Sequence, residues 1–196
     1  MRPFDHTEPF SPFTIWFADA RASEPDVPDA MQVATVGADG RPSLRSVLLK
    51  GFDEDGFVFY TNLGSRKARE IAGNPNVALL FHWKSLQRQV IVEGRAEPVA
   101  PEEADAYWAT RPRGSQLGAW ASRQGAAIAS RDELTARLTR VSERFADGPV
   151  PRPEFWSGFR VRPRRVEFWQ GLADRLHDRC AFEATDDGWT RVRVSP

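Results

Sequence analysis

The stretch MQVATVGADGRPSLRSVLLKGFDEDGFVFYTN, residues 31–62, decides the fold class. It holds three runs rich in β-branched and aromatic residues, at 31–37, 42–52 and 57–62, separated by the turn sequences ADGR and DEDG. Short runs of this composition, joined by tight glycine-containing turns, are typical of consecutive antiparallel strands. The stretch therefore predicts a β-meander and a mainly β fold.

The rest of the chain adds further strands and a few helices. Five more runs have strand character, at 76–83, 88–99, 159–171, 175–185 and 189–196. Helices are expected at 65–73 behind the cap Ser65, from residue 100 to Pro112, in a short segment after it, and from the cap Ser130 onward. Many short strands with late helices favour an antiparallel barrel with helical additions.

The N-terminal region differs from the barrel sequence. Residues 1–13 contain three prolines and no hydrophobic period, which predicts a mobile arm, and residues 14–23 predict a short helix. We therefore divide the chain into an arm and helix at 1–29 and a single domain at 30–196. A chain of 196 residues is long enough to bury a substantial core within one domain.

Composition excludes several classes of function. Lys plus Arg and Asp plus Glu both number 27, so no overall field favours nucleic acid or an anionic membrane. No run approaches the roughly 20 apolar residues of a membrane span, and the N-terminus lacks a signal-peptide pattern. The single cysteine, Cys180, agrees with a reducing compartment, and the three histidines have no partners at metal-ligand spacing. We expect a cytoplasmic protein without a metal site.

Two local patterns suit phosphate groups. The sequence SRK at 65–67 opens a predicted helix, where free N–H groups and two cationic side chains favour an anion, although a solvated basic turn has the same composition. Tyr107 and Arg111 share a helix face, and Pro112 breaks the helix so that Ser115 folds back toward them. These three side chains suit a second phosphate, and a surface pair is the alternative interpretation.

Charges also cluster in two strand sequences. In RSVLLK, Arg45 and Lys50 fall on opposite faces of a regular strand, so they share a pocket only where the strand bends, ends or meets another subunit. Two charges at the margins of a buried strand are the alternative. In RLHDR, a strand places Arg175, His177 and Arg179 on one face. Like charges so close are costly without an anion or an electron-rich partner, which indicates a ligand.

The chain resembles the pyridoxamine 5′-phosphate oxidase family, flavin enzymes of vitamin B6 metabolism. The resemblance is carried by motifs in the same order, namely RSVLLK, FYTNLGSRKA, RQVIVEG, YWATRPRGSQLGAWAS, FWSGFRV and VEFWQGLADRLHDR, and runs from about Ala30 to the C-terminus. It implies an antiparallel split β-barrel with peripheral helices, the FMN-binding split barrel, and a homodimer with FMN at its interface. One site would then draw residues from two subunits.

The resemblance also implies roles for individual residues. FMN and its phosphate would be bound by Arg45, Ser46, Val47, Leu48, Leu49, Lys50, Tyr60, Thr61, Arg66, Lys67, Gln89, Gln124, Gly125, Trp169 and Arg179. The substrate phosphate would be bound by Lys50, Tyr107, Arg111 and Ser115. Arg175 and His177 would lie over the pyridine ring as the catalytic residues, assisting orientation and charge without either serving as an obligatory base.

The reaction that the resemblance implies is oxidation of pyridoxine and pyridoxamine 5′-phosphates to pyridoxal 5′-phosphate. A hydride passes from C4′ of the substrate to N5 of FMN, and O₂ reoxidises the flavin with release of hydrogen peroxide. Two positions depart from the family pattern. Gly125 stands where serine is usual after Gln124, which removes a side-chain hydroxyl bond to FMN, and Gly114 stands where aspartate is frequent.

Two other functions stay open at this level. One is an oxidase on the same barrel that acts on another aromatic compound, as in phenazine biosynthesis, although the retained RLHDR with Tyr107, Arg111 and Ser115 favours a phosphorylated pyridine. The other is a non-catalytic protein that binds flavin or pyridoxal phosphate, because an intact site shows capacity only.

Overall fold

The computed structural model describes residues 3–196 of the chain. The helices in this range are α1 (Phe10–Ser23), α2 (Arg66–Gly73), α3 (Pro101–Thr110), α4 (Arg113–Ala121) and α5 (Arg131–Arg144). The strands are β1 (Ala30–Val36), β2 (Pro42–Leu48), β3 (Gly51–Asp53), β4 (Gly56–Asn62), β5 (Asn76–Trp83), β6 (Arg88–Pro98), β7 (Trp156–Gln170), β8 (Asp178–Thr185) and β9 (Gly188–Arg193). Short 3-10 turns occur at Pro3–Asp5 and Ala173–Arg175.

The strands form one antiparallel sheet. Its main path runs β2-β1-β5-β6-β7-β4-β3, and β8 pairs with β7 while β9 pairs with β8. The 15-residue β7 is long enough for its first part to pair with β4 and its last part with β8. The sheet curls around a single large apolar cluster, so the expected antiparallel split barrel with peripheral helices is confirmed.

The barrel closes where the chain leaves β2. The single strand predicted at 42–52 is wrong, because it is divided into β2 and β3. The Leu49 N–H donates to the carbonyl of Asp29 at 2.8 Å, which continues the pairing with the β1 side. The next N–H, that of Lys50, donates to the carbonyl of Val58 in β4 at 2.8 Å. The N–H groups of these two adjacent residues therefore donate to different sides, one toward β1 and the other toward β4. This change of partner brings β2 beside β4.

Helix α1 begins at Phe10 and not at residue 14 as the sequence predicts. The Glu8 carboxylate accepts hydrogen bonds from the Phe10 and Ser11 N–H groups, which supplies the cap that a proline at position 9 cannot. On its inner face Phe13 is fully buried in the barrel, against the rings of Phe17, Phe52, Phe57, Phe81 and Trp83. The mobility predicted for the residues before the helix stays a prediction.

The predicted caps of α2 and α5 are confirmed. The Ser65 hydroxyl accepts from the Ala68 N–H, and the Ser130 hydroxyl accepts from the Glu133 N–H. Between these helices, Pro112 separates α3 from α4, because proline has no N–H to continue the helical ladder. The break lets both helices line the same cavity.

The strand predicted at 175–185 starts later, at Asp178. The segment Ala173–Arg175 forms a 3-10 turn instead, and two of its residues have positive φ angles of 55° and 60°. This left-handed backbone cannot continue a strand ladder. The interpretation that Arg175 and His177 share a strand face with Arg179 is therefore wrong.

One face of the sheet carries exposed apolar side chains. Leu44 and Leu48 of β2 are 66% and 39% exposed, while the alternate residues of β2 face the barrel interior. Ser46 lies between these two leucines. Starting from Ser46, the successive paired residues across the sheet are Gln32 in β1, Leu80 in β5, Ile91 in β6 and Glu167 in β7. We call the surface that these residues share the outer sheet face.

Candidate functional site

A cavity of about 520 Å³ lies between the β2–β4 closure and helices α3 and α4. Its lining contains these residues predicted for ligand binding: Ser46, Val47, Leu48, Lys50, Tyr60, Thr61, Lys67, Tyr107, Arg111, Ser115 and Gln124. The sequence analysis did not select the rest of the lining, Asn62, Thr110, Pro112, Ala119, Ser122 and Trp156. The fold thus brings predicted cofactor segments and predicted substrate-phosphate residues to one place.

Lys67 is a buried cation in the first turn of α2, and its partners within residues 3–196 are neutral. Its Nζ donates to Thr61 Oγ1 at 3.0 Å, to Gln124 Oε1 at 3.3 Å and to Ser65 Oγ at 3.5 Å. Burial, together with the nearby charge of Arg45, lowers the pKa of Lys67. A buried ammonium group without a carboxylate partner favours an anionic ligand.

Parallel aromatic rings form one wall of the cavity. Tyr60 stacks on Tyr107 with the ring centroids 4.1 Å apart and on Trp156 with the centroids 5.3 Å apart. Gly158, opposite Tyr60 in β7, permits this packing, because a Cβ there would come within 2.7 Å of the Tyr60 ring. Burial, followed by the charge of Glu103, raises the pKa of Tyr60 to about 12, so the phenol stays neutral. A flat, uncharged wall suits a planar ligand.

Arg111 follows the last residue of α3, and its guanidinium covers two indole rings. Its Cζ lies 5.0 Å from the ring centroid of Trp108 and 4.6 Å from that of Trp156. Its Nη1 is buried and has no hydrogen-bond partner in the described part of the chain. Burial lowers the pKa of Arg111. A buried donor without an acceptor is costly, and a ligand that accepts from it removes that cost.

Lys50 is also present at the cavity, but it is already paired. Its Nζ lies 2.8 Å from Asp29 Oδ2, and the two side chains are 25% and 22% exposed. A phosphate that binds Lys50 therefore either shares its ammonium group with Asp29 or displaces the Asp29 carboxylate from it.

Arg45 and Arg66 do not line the cavity, and they meet at the buried carboxylate of Glu70 in α2. Arg66 Nε lies 2.7 Å from Glu70 Oε1, and Arg45 Nη2 lies 3.3 Å from Oε2. The hydroxyls of Ser43 and Thr35 donate to the same carboxylate. These hydrogen bonds, that of Ser43 first, lower the pKa of Glu70 to about 2. The carboxylate therefore stays ionised and holds both arginines.

A second cluster of predicted residues lies on the outer sheet face. Gln89 is opposite Trp169 across β6 and β7, and Trp169 is opposite Arg179 across β7 and β8. The ring of His177 lies against Trp169, with centroids 4.6 Å apart. The Leu172 N–H donates to His177 Nδ1 at 3.2 Å. In the neutral imidazole, Nε2 then carries the proton and is the donor available to a ligand.

Glu167 balances the charge of this second cluster. Its side chain is 3% exposed, and it accepts from Arg179 Nε at 2.7 Å and Nη2 at 2.6 Å, and from Arg165 Nη2 at 2.6 Å. The sequence analysis attributed the crowded cations of RLHDR to a bound ligand. Glu167 of the same chain balances the charge of Arg179, so the crowding of cations does not by itself require a ligand at Arg179. Arg175 is exposed in the turn that precedes β8.

The cavity and the second cluster are separate within one chain. Ser46 at the cavity and Glu167 in the second cluster are joined by four successive strand pairings. Neighbouring strands are about 4.8 Å apart, so the two places are about 19 Å apart along the sheet. Leu49 belongs to neither place, because its side chain is buried in the barrel core.

The two departures from the family pattern have different structural settings. Gly125 lies in a turn next to Gln124 with a φ of 85°, a conformation that favours glycine over serine. Gly114 lies in the first turn of α4, and a Cβ there would meet nothing within 4 Å. The backbone therefore explains glycine at position 125, and nothing in the structure explains it at position 114.

Sequence reasoning missed three residues that organise these places. Trp156 lies in the quoted motif FWSGFRV, and its position at the start of a strand, two residues before Gly158, is a usable signal. Glu70 and Glu167 are carboxylates within otherwise buried positions of a helix and a strand. A buried acid requires cationic partners, so each of them indicates a nearby arginine.

Comparison with protein families and curated relatives gives a consistent result. Residues 14–145 match the family described as pyridoxamine 5′-phosphate oxidase, and residues 156–196 match the pyridoxine 5′-phosphate oxidase C-terminal dimerisation region. A pyridoxine/pyridoxamine 5′-phosphate oxidase of Rubrobacter xylanophilus is 59% identical over 189 residues, which cover 96% of this chain and 87% of that protein.

Solved structures give the same fold. PhzG from Burkholderia lata, in complex with tetrahydrophenazine-1-carboxylic acid, matches with a TM-score of 0.93 at 29% identity and covers 100% of this chain and 97% of its own. A pyridoxamine 5′-phosphate oxidase-related, FMN binding protein from Nostoc punctiforme matches with a TM-score of 0.77 at 18% identity, over 95% and 96% of the two chains. No helix within residues 3–196 is both long and apolar enough to span a membrane.

Proposed function

Since the chain belongs to the pyridoxamine 5′-phosphate oxidase family, we propose that it oxidises pyridoxine and pyridoxamine 5′-phosphates to pyridoxal 5′-phosphate with FMN as cofactor and O₂ as acceptor. In this proposal the chain is an FMN-dependent oxidoreductase that releases hydrogen peroxide and supplies pyridoxal phosphate in vitamin B6 biosynthesis or salvage. A cytoplasmic location stays a prediction.

One observation carries this proposal. Two cations without an acidic partner in the described chain, Lys67 and Arg111, line the same cavity. A cavity with two such cations and a flat aromatic wall fits two anionic, planar molecules together. FMN and a pyridoxine phosphate are both planar ring systems that carry a phosphate.

The residues present fit FMN. The buried ammonium of Lys67 has no anionic partner within residues 3–196, and a flavin phosphate would supply one. Glu70 holds Arg66 of α2 and Arg45 of β2 near this ammonium. Ser46, Thr61 and Gln124 would add polar contacts from the same cavity. When bound, FMN supplies the redox chemistry, accepting a hydride from the substrate and passing two electrons to O₂.

The substrate phosphate is assigned to the other end of the cavity. Arg111 offers an Nη1 that has no partner in the part of the chain that the structure describes, and Tyr107, Ser115 and Lys50 line the same cavity. A phosphate held away from the reacting carbon contributes binding energy that fixes the orientation of the pyridine ring. These residues therefore bind and orient, while the cofactor carries the electrons.

We assign Gln89, Trp169, Arg175, His177 and Arg179 to the cavity of a partner subunit. The matched dimerisation region, residues 156–196, contains all of these except Gln89, and the outer sheet face exposes leucines beside the cavity. A two-fold dimer brings one surface of each subunit to its counterpart and forms two equivalent sites. In such a site, Arg175 and His177 lie over the substrate ring, and His177 donates its Nε2 proton to a substrate oxygen or nitrogen.

The test combines the visible spectrum of the purified protein with peroxide release in air. We expect flavin absorbance and peroxide formation with pyridoxine 5′-phosphate, and little with pyridoxine, which lacks the phosphate. Flavin absorbance without turnover would instead favour a non-catalytic binding protein. A colourless protein that FMN does not reconstitute would refute the proposal.

A second candidate function rests on the match to PhzG. The structure of that protein contains tetrahydrophenazine-1-carboxylic acid, a ring compound with a carboxylic acid and no phosphate. The test is a competition experiment in which this compound and pyridoxine 5′-phosphate are offered together to the protein with FMN bound. Preference for the phenazine compound would favour a function like that of PhzG over oxidation of pyridoxine 5′-phosphate.

A further inference from the structure

We propose that Glu70 is a positioning residue for the flavin phosphate and that it fixes the guanidinium groups of Arg45 and Arg66 beside Lys67. This inference rests on the proposed function, because it takes FMN to be the ligand of these cations. Glu70 itself does not line the cavity and would not touch the flavin.

Both oxygens of the Glu70 carboxylate are occupied. Oε1 accepts from Arg66 Nε at 2.7 Å, and Oε2 accepts from Arg45 Nη2 at 3.3 Å and from the hydroxyls of Thr35 and Ser43. The side chain is 8% exposed, so these bonds are only weakly screened by solvent. Glu70 thereby joins strands β1 and β2 to the first turn of α2.

The two hydroxyls give the network a single direction. Arg45 donates to Thr35 Oγ1 through Nη1 and to Ser43 Oγ through Nη2, and each hydroxyl donates its own proton to Glu70. Arg45 Nη1 also donates to the carbonyl of Val33 at 3.2 Å. Because each hydroxyl gives its one proton to Glu70, it acts only as an acceptor toward Arg45. Arg45 is thus bound to the carboxylate both directly and through the two hydroxyls.

The network leaves donors and positive charge for a ligand. Arg66 uses only its Nε toward Glu70, and its terminal Nη groups have no partner within residues 3–196, on a side chain that is 63% exposed. Three cations and one carboxylate leave two positive charges in excess. A phosphate monoester carries about −1.5 to −2 charges near neutral pH, which matches this excess.

Without Glu70, the three cations repel one another and lose their fixed orientation. The two arginine groups would then be ordered only when the phosphate binds, which weakens binding through lost preorganisation. A purely structural Glu70 would instead anchor α2 to the barrel, and its loss would weaken binding of the whole flavin. The two roles differ in whether the effect depends on the phosphate.

The experiment compares FMN with riboflavin, the same ring system without phosphate. Apoprotein of the wild type, Glu70→Gln and Glu70→Ala is titrated with each flavin, and binding is followed by quenching of flavin fluorescence. We expect the Kd of FMN to rise about tenfold or more in Glu70→Ala. This is the effect of losing one charge-assisted hydrogen bond between the phosphate and an arginine that Glu70 no longer holds in place. The Kd of riboflavin should change less than about twofold.

Glu133→Gln is the matched control, because Glu133 also pairs with an arginine one helical turn away and lies in α5. It should leave both dissociation constants unchanged. If Glu70→Ala does not fold, Thr35→Val removes one hydroxyl of the network with nearly the same volume and should weaken FMN in the same phosphate-dependent way.

The outcomes separate the inference from the proposed function. Equal weakening of FMN and riboflavin, or no weakening of either, overturns the positioning role while the wild type still binds FMN. A wild type that binds neither flavin overturns the proposed function and this inference with it. Weakening of FMN alone supports both.

Discussion

Arg111→Leu should strongly weaken phosphate recognition without a large loss of stability of the folded chain. Arg111 has a buried Nη1 without a partner in the described residues 3–196 and cation–π contacts at 5.0 and 4.6 Å. Removing the buried unpaired donor gains about 1–3 kcal/mol, and losing the cation–π contacts costs about 1–2 kcal/mol. The free energy of unfolding should therefore change by about −1 to +2 kcal/mol, with no large loss of stability.

Binding should respond much more strongly than stability. A guanidinium that donates two charge-assisted hydrogen bonds to a phosphate contributes about 3 kcal/mol, so the Kd of pyridoxal 5′-phosphate should rise about 100-fold. Binding of pyridoxal, which lacks the phosphate, should not change. Isothermal titration calorimetry measures the dissociation constants, and urea denaturation measures the stability.

Arg113→Leu is the control with the opposite expectation. Arg113 is exposed and donates to the carbonyls of Gly148 and Phe145, so its loss should lower stability by about 1 kcal/mol and leave ligand affinity unchanged. The reasoning on Arg111 is refuted if Arg111→Leu is strongly destabilised, or if it binds pyridoxal 5′-phosphate and pyridoxal in the same ratio as the wild type.

Three further predictions concern the dimer, the turn at residue 125 and the imidazole. Leu44→Glu should convert a dimer to monomers in light scattering, because it charges the outer sheet face, whereas Val27→Glu, at a residue that is 59% exposed in a loop, should not. Gly125→Ser should lower the free energy of unfolding by about 1–2 kcal/mol, since a φ of 85° is strained for serine, and an unchanged denaturation midpoint would contradict this. Neutral His177 should show the Nε2–H tautomer in ¹⁵N spectra, and a protonated Nδ1 would mean that the hydrogen bond from Leu172 is absent.

The sequence predicted the barrel because its information is local. Alternating apolar residues between glycine turns determine strand positions, and hydroxyl caps determine helix starts, as at Ser65 and Ser130. The failures occurred where tertiary contacts override a local pattern. The run at 42–52 has uniform strand character, and its division depends on pairing with both Asp29 and Val58, which no local pattern reveals.

The candidate site was predictable in part for a similar reason. Local patterns indicated Lys67, Tyr107 and Arg111 as residues that suit phosphate groups. Motif resemblance then assigned their ligands and added further residues of the cavity. The carboxylates came from neither motif nor spacing, because Glu70 meets Ser43 and Arg45 only after α2 packs on the barrel. Strand parity misplaced His177, because the left-handed turn at Ala173–Arg175 involves residues other than glycine.

Four of the arginines that we assign to ligands differ in whether a buried acid holds them. Arg45, Arg66 and Arg179, which we assign to the flavin, are held by Glu70 or Glu167, while Arg111, which we assign to the substrate, rests on aromatic rings. A buried carboxylate partner holds an arginine in place with or without ligand, so such an arginine contributes fixed geometry. Arg111 has a buried donor without a partner within residues 3–196, so a substrate phosphate there would gain both its own hydrogen bonds and relief of that unsatisfied group. The arrangement therefore concentrates the binding energy of the exchanging ligand at its phosphate, away from the reacting carbon, where it can orient the ring.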